Sequence, residues 1–363
     1  MRSLKTFPDI SVTTAFDSDR GRLEAFCRYW RVPAADSLDD LLDSRAKVDL
    51  VLNLTNPRSH FSVSHRCLEA GRPVYSEKPL ATEMPEAFEL YSFAKKKGLM
   101  IASAPCSVLG KTAQTAWLAL RDGKIGKPLL VYAELDDGFV PQAPYRKWVS
   151  ESGALWPFRD EFEVGCTLEH AGYYLTWLIA MFGSVRTVVA CSAEIVSDKL
   201  SDPAKCAPDY SSATLIFESG VVARLTCSII APHDHRLRIF GDRGVLEVND
   251  CWDNDAAVRV RYRHAIRRRL ISSPVARRIS LPGPTHPMVG RRGAASMNFA
   301  LGPAELLAAI KEGRPSRLSA DFALHLNEVT LAVQNAGSFT GAQTMTTNCP
   351  AIDPMPWAVA PVR

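Results

Sequence analysis

At Val74-Tyr75-Ser76 an apolar strand runs straight into Glu77-Lys78-Pro79, and the segments around it alternate strand with helix. No other feature constrains the fold as strongly. Val48–Leu54 (VDLVLNL) is a nearly continuous apolar run, as expected of a strand buried on both faces. Thr55-Asn56-Pro57 breaks it, Phe61–Ala70 reads as a helix, and Gly71 ends that helix as a left-handed C′ residue would. A helix over Thr82–Lys97 closes at Gly98, and Leu99–Ala102 is a further strand. Upstream, Ile10–Phe16 reads as a short strand ending at Asp17, and Leu23–Trp30 as a helix. This spacing predicts a parallel α/β sheet. A charged pair at the carboxyl end of one of its strands lies where such sheets bind ligands.

After about Pro105 the texture changes. Thr112–Asp122 is helical, and strand-like runs then follow one another at Leu129–Leu135, Val185–Val196, Ala213–Glu218, Val221–Ile230, Arg236–Phe240, Val245–Val248 and Ala257–Tyr262. Ser219-Gly220 and Asp242–Gly244 are hairpin-type turns between them. Helices over Pro303–Lys311 and Ala320–Ala336 close the chain. The expectation is a parallel α/β domain over residues 1–105, an α+β domain with a large, mostly antiparallel open sheet over 106–345, and a tail over 346–363. A chain of 363 residues is long enough for two cores.

The net charge of +4 hides an uneven distribution. Eight arginines and no acid fall in residues 259–278, leaving 35 basic against 39 acidic residues elsewhere. That is one basic patch on a mildly acidic protein, which argues against a nucleic-acid binder. The run is read first as a solvated, partly disordered excursion, with an anion clamp as the rival reading. Residues 282–287 and 291–296 extend the irregular region. The nine cysteines form no C-x-x-C pair, which points to a reducing compartment and a cytoplasmic location. No apolar stretch is long enough to span a membrane.

There is no G-x-G-x-x-G anywhere, and Gly21 is the only glycine before Gly71. Yet the run Leu68-Glu69-Ala70-Gly71-Arg72-Pro73-Val74-Tyr75-Ser76-Glu77-Lys78-Pro79-Leu80-Ala81 resembles the glucose–fructose oxidoreductase / inositol dehydrogenase / rhizopine-catabolism (Gfo/Idh/MocA) family. Gly123-Lys124-Ile125-Gly126-Lys127-Pro128, the Ile239–Gly244 turn and Glu312-Gly313-Arg314-Pro315 support the match. The resemblance implies an N-terminal Rossmann domain binding NAD or NADP and a second domain whose open sheet covers the active site and makes a homodimer or homotetramer interface. It implies hydride transfer at a hydroxyl or carbonyl carbon of a sugar, polyol or nucleotide sugar. The family pattern opens with a strand and a glycine-rich turn, and Met1–Phe7 resembles the end of the helix that follows. Roughly 20–25 residues of strand, turn and helix start are then absent, judged from usual element lengths. Two readings stand: a start upstream of Met1, or a protein without the phosphate loop. A non-catalytic binding or regulatory relative is the alternative function.

On the resemblance, Lys78 polarises the reacting oxygen, Glu77 helps build the cofactor site, and Pro79 fixes the turn. In some members the peptide bond before that proline is cis. Asp17 follows a strand where a carboxylate accepts both ribose hydroxyls, which favours NAD, while Arg20 nearby keeps NADP open. Thr55, Asn56 and Pro57 match the cofactor-contacting loop, and His60 a recurrent position there that is read as structural. Many members carry D-x-x-x-H at a helix start in the second domain, the His as acid/base. Here Glu169 falls on the Asp and Tyr173 on the His. The i, i+4 spacing puts both on one helix face, and a lysine beside a tyrosine lowers its pKa. His170 is the rival base. His233-x-His235 beside Asp234 has no third ligand at metal spacing, so no metal site is assigned, and the segment is placed near the pocket or a sheet edge. The mass of the native protein separates the two readings of the N-terminus. A value roughly 2–3 kDa above 39.9 kDa marks an upstream start, and 39.9 kDa a chain that begins at Met1.

Overall fold

The computed structural model describes residues 1–43, 48–200, 202, 206–290, 293–339 and 341–359. Arg291 and Arg292 of the irregular region and the last four residues of the tail lie outside the described residues.

Three short strands, β1 (Val51–Asn53), β2 (Val74–Ser76) and β3 (Ile101–Ser103), form a parallel sheet in that order. Val51 faces Val74, and Val74 faces Ile101 across it. Helices α3 (His60–Glu69) and α4 (Met84–Lys97) make the crossovers. Leu68, Leu90 and Ala94 are fully buried against Val74 and Ile101, and this apolar layer holds the sheet. Gly98 ends α4 in the left-handed region, φ 65°, which a side chain would strain.

The expected strand over Ile10–Phe16 is not a strand. Only Ala15 makes a bridge, to Ala34, with its amide on the Pro33 carbonyl at 2.9 Å. The segment has apolar alternation but no neighbouring ladder among the described residues, and a ladder is what makes a strand. Helix α1 (Arg20–Trp30) follows, capped by Asp19, which accepts from the Arg22 amide at 2.9 Å. A short helix α2 (Leu38–Leu42) is capped by Ser37. The amino-terminal residues form a 3₁₀ turn over Leu4–Thr6 at the cleft between the two sheets. The Asn298 amide reaches Thr6 at 3.1 Å, and Arg2 pairs with Glu151 at 2.6 Å.

The second sheet has eleven strands among the described residues. Its main path runs β12-β11-β10-β9-β4-β7-β6-β5-β14. These are β4 (Pro128–Phe139), β5 (Val185–Ala193), β6 (Tyr210–Phe217), β7 (Val222–Ser228), β9 (Leu237–Gly241), β10 (Gly244–Val248), β11 (Val258–Ile266), β12 (Arg269–Ser272) and β14 (Gln343–Thr344). β8 (Ile230–Asp234) pairs with β4, and β13 (Arg277–Ile279) with β11. All pairings are antiparallel except β4 with β7. Helix α5 (Lys111–Arg121) packs on β10, β11 and β13, and α6 (Phe158–Val164) and α7 (Gly172–Phe182) add Phe162, Tyr174 and Trp177 to the same core. Phe217 and Leu215 fill it from the sheet.

The arginine run is a hairpin, not an excursion. Val258 and Val260 are buried while Arg259 and Arg261 turn outward, the alternation of a half-buried strand. Arg261 donates to the carbonyls of Ser273 and Pro274, so part of the charge serves to tie the hairpin's return.

Helices α8 (Leu301–Glu312) and α9 (Ala320–Gln334) reach back onto the first sheet. The Ala81 amide donates to Asn327 at 3.2 Å, and the Tyr91 hydroxyl to Asp321 at 2.7 Å. The Gly-Arg-Pro turn after α8 is explained by Glu305, whose buried carboxylate accepts from Arg314 at 2.6 Å and from Arg317 at 2.9 Å. At Gly302 the helix presses onto Tyr75: a Cβ there would stand 2.1 Å from the phenol oxygen. Gly302→Ala is expected to cost about 1–3 kcal/mol by overpacking, read as a lower urea midpoint at unchanged slope. An unchanged midpoint would show that the α8–β2 contact is looser than described.

Candidate active site

The loop after β2 carries Glu77 and Lys78, and the Lys78–Pro79 peptide is cis. The Lys78 ammonium points away from its own sheet and donates to the carboxylate of Glu169. Both side chains are largely buried, at 16% and 12% exposure. Burial alone would strip the charge from Lys78, but the Glu169 carboxylate, Tyr173 and Glu77 outweigh it and hold its pKa well above the usual lysine range. Glu169 is pushed up, by burial first and then by Glu161, against the pull of Lys78.

Glu169 and His170 sit on a π-helical turn, Thr167–Ala171, that leads into α7. A π turn carries an extra residue, so the i, i+4 registry of an α-helix does not run through it. The sequence paired Glu169 with Tyr173; the structure gives Glu169 to Lys78 instead. His170 turns to Glu161, with Nε2 2.9 Å from Oε1. Burial would lower the His170 pKa, but the Glu161 carboxylate and its hydrogen bond raise it to about 9. Glu161 is held below its ordinary value, because His170 outweighs the effect of burial. The hydrogen bond to buried Glu161 occupies His170 Nε2, which leaves it poorly placed as a base. Glu161 escaped the sequence reading. Its signal is an acid inside the apolar stripe of α6, beside Phe158 and Phe162.

Tyr173 opens α7 and lines a cavity with Leu52, Leu54, Tyr75, Glu77 and Cys106, at the carboxyl edge of β1 and β2; Met1 and Leu4 close its far side. The tyrosine's pKa moves opposite to expectation. Lys78 lowers it, but burial, with Glu77 and Glu169, pushes it well above the usual phenol range. Tyr173 thus carries its proton.

The remaining sequence candidates divide. Glu77 lines the cavity and accepts from the Lys78 amide at 3.1 Å. Asn56 caps a 3₁₀ turn that starts at Pro57, and the Thr55 hydroxyl donates to Asn53 at 2.7 Å. The buried His60 ring spans the two carboxyl-edge loops, Nδ1 at 2.7 Å from the Pro79 carbonyl and Nε2 at 2.9 Å from that of Thr55. Asp17 is engaged by Arg22 at 2.8 Å and by the Asp19 amide at 2.9 Å, and it is not among the cavity-lining residues. Arg20 pairs with Asp36 at 3.5 Å. His233 and His235 stack at the end of β8 beside Trp252, whose indole also meets Tyr173 at 5.3 Å.

Comparison with known proteins agrees with this geometry. Residues 1–104 match the model described as "Oxidoreductase family, NAD-binding Rossmann fold", and residues 113–247 the "GFO/IDH/MocA C-terminal domain". The uncharacterized oxidoreductase YhhX of Escherichia coli K12 is 31% identical over 128 residues, 35% of this chain and 36% of that protein. Mouse trans-1,2-dihydrobenzene-1,2-diol dehydrogenase is 23% identical over 236 residues, 64% of this chain and 65% of that one. The matches thus span less than two thirds of these curated relatives. Among solved structures, UDP-N-acetylglucosamine 3-dehydrogenase GnnA from Acidithiobacillus ferrooxidans superposes over 92% of both chains with a TM-score of 0.67 at 21% identity, a likeness of fold. The chain belongs to the Gfo/Idh/MocA family of oxidoreductases.

The buried pair makes a stability prediction. Lys78→Met leaves Glu169 without its partner and is expected to cost about 3 kcal/mol. Lys78→Met with Glu169→Gln should cost clearly less than the two single changes added together, because each removes the other's penalty. Additive losses in urea unfolding would show that the two groups do not interact.

Proposed function

We propose that this member of the family is an NAD(P)-dependent oxidoreductase that moves a hydride between the nicotinamide and a hydroxyl or carbonyl carbon of a sugar, polyol or nucleotide sugar. The observation that carries the proposal is the convergence of Lys78 and Tyr173 on the carboxyl edge of the parallel sheet, beside a cavity that Glu77 also lines. The residues fit the nicotinamide end of a dinucleotide. Apolar Leu52 and Leu54 offer a wall for the ring, and Tyr75 brings a buried hydroxyl with no hydrogen-bond partner. Thr55, Asn56, Pro57, Glu77 and Pro79 would hold it, within a cofactor domain over residues 1–105. A bound nicotinamide would supply the hydride acceptor or donor.

Lys78 then stabilises the negative charge that develops on the reacting oxygen, and Glu169 orients the ammonium. Tyr173 exchanges the hydroxyl proton at its phenol oxygen. With burial holding the proton on Tyr173, the phenol can donate it in reduction and, beside the charged Lys78, take it up in oxidation. Asp17 favours NAD, and the guanidinium of Arg22 on its carboxylate leaves NADP open. A homo-oligomer through the outer face of the large sheet is supported by the aromatic pair there. Tyr132 and Phe240 lie 5.0 Å apart, with Arg224 over Tyr132 at 4.1 Å.

Turnover of NAD and NADP against panels of sugars, polyols and nucleotide sugars tests the reading. Lys78→Ala and Tyr173→Phe are each expected to lower kcat/KM by roughly 10²–10³-fold while dinucleotide binding persists. Unchanged turnover in Lys78→Ala would remove that residue from the mechanism. Binding of dinucleotide with no turnover on any panel would replace the proposal by the binding or regulatory reading.

A further inference from the structure

A second cluster lies beside Trp252, with the His235 ring 4.4 Å from the indole, and the chemistry above does not use it. His235, just before β9, is buried like Leu237 and Ile239, and His233, exposed at the end of β8, brings its ring to 4.0 Å from that of His235. Opposite them, the β4–β8 pairing shifts register between Asp136 and Gly138, and Asp137 sits in that shift. Such a bulge re-aims a side chain. Asp137, His233 and His235 thereby bring three ligand atoms within 4.8 Å of one another.

The details are those of a coordination site. His233 Nδ1 lies 3.7 Å and His235 Nε2 3.8 Å from the same oxygen, Oδ1 of Asp137. Metal–ligand bonds of about 2.0–2.2 Å in a tetrahedral shell put ligand atoms roughly 3.3–3.6 Å apart, so contraction by a few tenths of an ångström brings each imidazole to its distance from the Asp137 oxygen. His235 is 1% exposed, and its Nε2, on the Asp137 side, has no hydrogen-bond partner. Buried polar nitrogens left unpaired are costly, and a ligand is one way to satisfy them. Outer groups are also in place. Asp250 stands 3.4 Å from His235 Nδ1, where a carboxylate orients a metal-binding imidazole. His170 Nδ1 faces the second oxygen of Asp137 at 3.8 Å.

We infer that Asp137, His233 and His235 form a binding site for a divalent transition-metal ion of the zinc class. Two imidazoles and one carboxylate leave at least one coordination position for water or for an oxygen of a bound molecule. The weak sequence signal is understandable, since the third ligand lies about a hundred residues away and its approach depends on the bulge.

Titration of chelator-treated full-length protein with Zn²⁺ alone by calorimetry, and with Co²⁺ by visible absorption, tests this directly. About one equivalent is expected to bind, with a Co²⁺ spectrum free of thiolate charge transfer. His233→Ala, at an exposed position that should leave the fold intact, and Asp137→Asn are each expected to weaken binding by about tenfold or more. His65→Ala, which removes a histidine on α3 paired with Glu69, should leave it unchanged. Absence of stoichiometric binding in wild type, or binding unchanged in His233→Ala and Asp137→Asn, overturns the proposal. Loss of binding in Cys251→Ser with retention in His233→Ala also overturns it, by moving the ion to the neighbouring His235, Asp250 and Cys251 group.

Discussion

A buried ammonium needs a partner, and Glu77, in the same loop after β2, takes the Lys78 amide with its carboxylate. The partner comes from the other sheet's helix layer, as Glu169 on the π turn before α7. That contact ties the two walls of the cleft together at its polar end. Isolated, either charge would be driven toward its neutral form by burial. Together they hold Tyr173 and Glu77 at one wall of the cavity. Beyond it lies a second linked set, Glu161 with His170 and on to Asp137, and the two sets meet where the like charges of Glu169 and Glu161 oppose each other. Linked sets of this kind fix protonation states cooperatively, so the character of Tyr173 as a proton carrier belongs to them as much as to the residue.

How far the sequence discloses this depends on the range of the interaction that decides each element. The strands from Leu130 to Val260 were legible because inward apolar and outward polar residues alternate between glycine turns, and both signals are local. The hairpin at Arg259–Arg278 carried the same alternation, but eight like charges drew attention to solvation instead. Ile10–Phe16 has strand composition without a ladder, which only tertiary pairing supplies. The Glu-Lys-Pro turn was legible as a motif, yet the ion pair to Glu169 crosses 91 residues. Nothing in Thr167–Ala171 announces a π turn rather than an α one, so the i, i+4 pairing of Glu169 with Tyr173 rests on a registry the turn does not keep. Glu161 and Asp137 matter through burial and a bulge, neither of which has a sequence signature beyond an acid at an inward position.

The fold-level agreement with relatives sits beside a local departure at the helix that carries Tyr173, the proposed proton donor. Where many relatives are expected to place a histidine, this chain has Tyr173, and its nearby histidine, His170, is committed to Glu161. A phenol and an imidazole differ in the pH range over which they hold a proton. The departure therefore changes the proton inventory of the site while leaving the positions of the reacting groups to the same scaffold.

Helix α9 contributes Ala323 and Leu324 to the apolar core of the first, parallel sheet, beside Leu90 and Ala94. The consequence concerns time. On the ribosome, the strands and helices of the first hundred residues emerge long before residue 323, yet their core stays open on one side until that helix arrives. The amino-terminal unit must wait, partly assembled, for more than two hundred further residues to be synthesised. Chain order and assembly order thus diverge, and the last helix made is the one that completes the unit made first.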